Sequence, residues 1–136
     1  MPTSSTAFRL FGFPVHVGAG FWMFMVLIAV TNSSAEGLGT DGAIILAALI
    51  AVFTLIHELG HAVAARATGA KAEITLAFMA GYASFVPTRA LSRWERVGIS
   101  FAGPAVQIVT GTALYLALGG PAEWPIPGLT PAQFGA

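Results

Sequence analysis

The chain contains no cysteine. Disulfides and thiolate metal sites are therefore excluded, and any metal must bind through His, Asp or Glu. The redox compartment stays open for the same reason. Charge is nearly as scarce: 6 Lys or Arg and 6 Asp or Glu among 136 residues, 9% in all. A typical soluble domain carries about 25%. So few charges cannot cover a water-facing surface. The formal net charge is zero and no basic run exists, which argues against nucleic acid as a partner. Asp41 is the single aspartate.

Apolar residues fill the space that charge leaves. They make up 56% of the chain, and the mean hydropathy is +0.79. The length fits one domain over 1–136, and the composition reads as a membrane protein. A bilayer crossing needs about 20 mostly apolar residues. Three stretches qualify: about 15–33, densest from Phe21 to Val30; about 42–66, interrupted only by His57-Glu58-Leu59-Gly60-His61; and about 97–118, without a formal charge. The expected fold is an all-α membrane protein with three transmembrane helices. A cleaved leader is the competing reading of the first stretch, with Arg9 as its basic end and Ser33-Ser34-Ala35 as its cleavage site. Two further spans follow, so an uncleaved helix fits better.

Charge placement gives an orientation. Arg9, Arg66, Lys71, Arg89, Arg93 and Arg96 all fall before the first stretch or between the second and third. The positive-inside rule then places the N-terminus and segment 66–96 in the cytoplasm. The expected location is a multi-pass position in a bacterial-type plasma membrane.

Segment 72–86 alternates. Ile74, Leu76 and Phe78 interleave with Glu73, Thr75 and Ala77, Ala80-Gly81 can turn the chain, and Tyr82 to Val86 can return before Pro87. This predicts a short membrane-associated β-hairpin between the second and third helices; an irregular amphipathic loop is the alternative. Ser92, with Glu95 three residues on, forms a capping-box pattern for the next helix.

The chemistry lies in the second stretch. His57 and His61 are four apart, so on a helix they share a face and can hold one metal ion. Glu58 sits about 100° round, where it can accept the proton of an attacking water. Neutral imidazoles ligate and the carboxylate serves as base. A solvated polar patch would give the same pattern in a soluble helix. Here each ionisable group at bilayer depth costs roughly 2.5–3.5 kcal/mol, which coordination offsets. His57 precedes Arg66 by about nine residues, or roughly 13 Å, so the site is nearer the cytoplasmic face.

These motifs, in their order, resemble the site-2 protease family of intramembrane zinc metalloproteases. Leu10 to Val17 resembles the family's opening, and Phe53 to Ala62 its zinc helix. Ile74-Thr75-Leu76 through Ala80-Gly81-Tyr82-Ala83 resembles its hairpin, and Phe101-Ala102-Gly103-Pro104 the start of its next helix. The chain resembles the family's N-terminal part. The resemblance implies Zn2+ on His57 and His61, Glu58 as catalytic base, and cleavage of transmembrane protein substrates near the cytoplasmic side. Gly81 and Gln107 are candidate substrate contacts. Gln107 stands where the family usually has Asn, and an interhelical hydrogen bond is its alternative role.

The family's third ligand is an Asp from a later helix. Asp41 lies about 24 Å along the helix from His57 and cannot serve. His16 is the internal candidate, against a plain local hydrogen-bonding role. Otherwise a further C-terminal helix or a second chain supplies the ligand. The proline-rich 121–131 segment reads as an extracytoplasmic loop leading to such a helix. The rival function is an inactive or truncated homologue that binds metal or membrane helices without cleaving. A proton channel would explain the ionisable groups but not the order of the other motifs.

Overall fold

The computed structural model describes residues 5–34, 36–78 and 80–120. The proline-rich 121–131 segment lies outside the described residues. The elements in order are β1 (Ser5–Leu10), β2 (Phe13–Gly18), α1 (Ala19–Asn32), α2 (Gly39–Ala67), β3 (Lys71–Ala77), β4 (Ala80–Val86) and α3 (Arg93–Ala117).

The all-α expectation is wrong. The strands form one four-stranded mixed sheet in the order β1-β2-β3-β4, with β2 and β3 parallel and the outer pairs antiparallel. The first of the three expected spans also fails. Segment 15–33 divides into most of β2 and the 14-residue α1. Such a helix is about 21 Å long, short of the roughly 30 Å hydrocarbon layer. Two helices, α2 and α3, are long and apolar enough to cross a membrane. In their most apolar windows only 17% and 11% of residues are buried by the fold, so neither is the covered core helix of a soluble protein. Ile45, Val52, Val63, Phe101, Ile108 and Val109 point outward instead.

Local chemistry explains the N-terminal hairpin. Leu10 pairs with Phe13, leaving Phe11 and Gly12 as a two-residue turn. Their φ values are 51° and 86°, the left-handed pair of a type I′ turn, which Gly12 adopts without strain. Along β2, Phe13, Val15 and Val17 are buried while Pro14 and His16 alternate to the other face. Pro14 has no N–H to give, but it sits opposite Arg9, before the Val15–Val17 stretch that pairs with Ile74–Leu76.

The buried strand residues join Ile74 and Leu76, and together they pack on Phe21 and Met25 of α1 and Ala47 and Ala62 of α2. Phe13, Val15 and Ile74 are fully buried, each contributing roughly 1.5–3 kcal/mol. Arg66, in the last turn of α2, fastens this layer. Its Nη1 donates to the Phe11 carbonyl at 2.6 Å, and its guanidinium lies 4.0 Å over the Phe13 ring.

Between α2 and α3 the contact is backbone on backbone. Gly60 faces Ala102 and Gly103, and Phe53 faces Gly111, so the two helices run antiparallel. A Cβ on Gly60 would stand 2.5 Å from the Ala102 carbonyl oxygen. α3 begins with the expected capping box: Ser92 Oγ accepts from the Glu95 N–H, and the Glu95 carboxylate accepts from the Ser92 N–H. Arg89 donates to both Glu95 oxygens, at 3.0 and 2.6 Å. Those bonds, and then the carboxylate's charge, hold the Arg89 guanidinium above its ordinary value.

Candidate functional site

His57 and His61 lie one turn apart on α2, with their Nε2 atoms 3.2 Å apart. Each ring is fixed from behind by α3. His61 Nδ1 donates to the Ile99 carbonyl at 2.7 Å. His57 Nδ1 donates to Gln107 Oε1, also at 2.7 Å. A carbonyl oxygen can only accept, so each ring carries a proton on Nδ1, which leaves both Nε2 lone pairs available at this short separation. Two lone pairs at that separation repel unless a cation sits between them. Zinc bonds of about 2.0–2.1 Å to imidazole, at a tetrahedral angle, separate two nitrogens by roughly 3.3 Å. The pair therefore fits such an ion, and its Nδ1 partners are the orienting contacts a metal-ligating histidine needs.

Gly103 makes the arrangement possible. A Cβ there would land on the Nε2 edge of the His61 ring. The α3 backbone can therefore approach close enough for the Ile99 carbonyl to be met. Pro104 follows and donates no N–H to the turn that starts at Ser100.

Glu58 is the one buried charged side chain among the described residues, 7% exposed. Its Cγ lies under Gly81 of β4, where a Cβ would stand 3.0 Å from it and 3.2 Å from Thr54 Cγ2. Gly81 is thus the residue that leaves room for the carboxylate. A cleft of about 340 Å3 opens beside it, lined by Glu58, His61, Gly81, Tyr82, Ile99 and Ser100 among others. Among the described residues β4 is an edge strand of the sheet, with β3 as its partner. Ala77 opposite Ala80 closes the hairpin as a hydrogen-bonded pair, so Ile74 and Ala83 form a non-bonded pair. The Ala83 N–H accordingly points away from β3, toward the open edge of β4.

The structure thus gathers His57, Glu58, His61, Gly81 and Gln107. His16 stands apart. On β2 it pairs with Thr75 of β3, its side chain on the face opposite the core and its Nε2 3.8 Å from Glu73 Oε2. Among the described residues, no group of three or more His, Cys, Asp or Glu side chains is placed to hold one ion. Gln107 takes the interhelical role of its two sequence readings, with His57 as partner. Sequence reasoning did not find the Ile99 carbonyl, which has no side-chain signature, or the need for Gly103 beneath the ring. The Gly103-Pro104 pair was the available signal, a small residue and a missing donor inside an apolar helix.

The fold sets two imidazoles and a buried carboxylate on a helix long and apolar enough to cross a membrane. Residues 45–123 match the model of peptidase family M50, and the chain belongs to that family. It is 30% identical over 129 residues to a Synechocystis sp. protein named "Putative zinc metalloprotease". That alignment covers 88% of this chain and 33% of the relative. The solved site-2 protease from Methanocaldococcus jannaschii superposes with a TM-score of 0.60 at 26% identity, over 83% of this chain and 50% of that one. The chain thus spans about a third of the curated relative and half of the solved one.

Proposed function

We propose that this chain carries the metal-binding and proton-transfer half of an intramembrane zinc metalloendopeptidase, which cleaves membrane-spanning proteins near the cytoplasmic face. One observation carries the reading: two imidazoles, each anchored through Nδ1, converge their Nε2 lone pairs beside a buried carboxylate in an open cleft.

His57 and His61 would hold the zinc, which would supply Lewis acidity toward an attacking water. Glu58 accepts the water's proton at its carboxylate and returns it to the leaving amine. Gln107 and the Ile99 carbonyl keep both imidazoles in the Nδ1–H tautomer. A helical substrate shields its carbonyls with its own hydrogen bonds, so it must unwind before attack. The free edge of β4 offers the unwound stretch a strand partner alongside Glu58. β3 cannot do this, because β2 and β4 occupy both its sides. The third ligand comes from residues beyond those described, in a further helix or a second chain. The basic segments 9 and 66–96 lie together around the sheet, as a common cytoplasmic side requires.

The second reading is a metal-binding homologue that does not cleave. Its support is the pair of ligands in place of three among the described residues. The deciding experiment measures zinc content and cleavage of a transmembrane peptide. It compares residues 1–136 with a chain extended toward the length of the M50 relatives, each with and without Glu58→Gln. The enzyme reading expects bound zinc in all four and cleavage lost by about 100-fold or more with Glu58→Gln. Cleavage that survives the substitution sinks the mechanism. Zinc without cleavage in both wild-type lengths favours the second reading.

A further inference from the structure

A second cleft, of about 570 Å3, lies at the end of α2, and the chemistry above makes no use of it. The Phe11–Gly12 turn, the start of β3 and the end of β4 enclose it, and Arg9, Arg66 and Lys71 line it. Half of the chain's six basic residues therefore face one cavity.

Two of these cations are held in place beforehand. Arg9 Nη1 donates to the Gly12 carbonyl at 3.2 Å, and Arg66 Nη1 to the Phe11 carbonyl at 2.6 Å. The Phe13 ring supports the second guanidinium from below. One turn thus fixes both, and each guanidinium, with five N–H donors in all, keeps others for a ligand. Ordering of these long side chains, a main cost of binding, is largely done before the ligand arrives. The acid in the lining, Glu73, has His16 Nε2 3.8 Å away. Among the described residues no ion pair engages Arg9, Arg66 or Lys71. The lining is left with an uncompensated positive charge.

Position narrows the ligand. α2 ends beside this cleft, and antiparallel α3 begins at the same end with Arg93 and an exposed Trp94. If α2 and α3 cross the bilayer, this is the level of lipid head groups. We propose that the cleft binds a phosphate group, and that the head group of an anionic phospholipid is the source its position favours. The proposal shares the membrane placement of α2 and α3 with the protease reading but none of its chemistry, so either can fail alone.

The test is thermal unfolding of the intact chain in detergent. Phosphatidylglycerol is titrated against phosphatidylcholine, and inorganic phosphate against chloride at equal ionic strength. Arg9→Gln and Lys71→Gln are compared with Arg93→Gln, which lies outside the cleft. Phosphatidylglycerol, and not phosphatidylcholine, should raise Tm, with apparent affinity falling about fivefold for each cleft cation removed. Arg93→Gln should leave that affinity unchanged. Lys71 makes no side-chain hydrogen bond among the described residues, so its variant carries the test should Arg9→Gln fail to fold. Protection by inorganic phosphate alone would keep the site and assign it a soluble ligand. Protection by neither, or equal weakening by Arg93→Gln, would overturn it.

Discussion

Two seams join distant parts of this chain, and they are built on opposite rules. The seam with α3 depends on what is missing: Gly60 and Gly103 have no side chains, so main chain meets main chain and imidazole. The seam between β2 and β3 depends on what is present: Val15, Val17, Ile74 and Leu76 fill the space over the helices, while a backbone ladder sets the register. The first holds the two imidazoles against main chain and has little slack. The second holds the fold and can absorb a lost methyl group. Precision and bulk stability are thus housed in different contacts.

Substitutions should separate the two seams, and the largest effect belongs to Gly103→Ala. The new methyl competes with the His61 ring for one position, and the α3 backbone cannot give way. Zinc affinity should fall at least about 100-fold, at the upper end of losses seen when ligand support is removed. Equilibrium dialysis with a zinc chelator measures it, and an unchanged affinity would show that the seam does have slack. Gln107→Leu comes next. It strips His57 of its acceptor without adding bulk, and affinity should drop about 10-fold or more. A glutamate there, which still accepts from Nδ1, should retain binding.

Ala83→Pro probes the open edge and neither seam. Its N–H points away from β3, so the ladder should survive while the docking edge loses a donor. Cleavage should fall about 10-fold, the worth of one or two hydrogen bonds, with zinc content unchanged. A parallel loss of zinc would refute strand addition as the cause. The smallest effect should come from Val15→Ala. Removing two buried carbons costs roughly 1.6 kcal/mol at about 0.8 per CH2. Tm should fall by several degrees, with zinc affinity at permissive temperature intact.

The same contrast explains what the sequence disclosed. Spacing alone placed His57 and His61 on one face, because four residues is nearly a helical turn and α2 is long enough to keep the period. The Ser92–Glu95 cap was equally legible, being wholly local. Segment 15–33 was not. Hydropathy sums over a window and cannot tell a buried strand followed by a short helix from one long helix, and Val15, Val17 and Phe21 score alike in either. Pro14 further disguised β2, since a proline argues against a central strand unless it falls before the ladder its nitrogen would face, as it does with β3 here. The Gln107 partner was open between substrate and helix, because only packing of α3 decides it. The role of His16 turned on the same missing sheet, whose pleat turns it to the face opposite the core.

The parallel pairing of Val15–Val17 with Ile74–Leu76 also sets an order of assembly. The two stretches lie about sixty residues apart, with α1 and α2 between them. During synthesis the N-terminal hairpin emerges first but has no strand to lie beside until both helices have been made. Closing so long a loop is slow compared with helix formation. The sheet must therefore be completed after α2 is in place, and β4, which hangs from β3, takes its post over Glu58 no earlier than that.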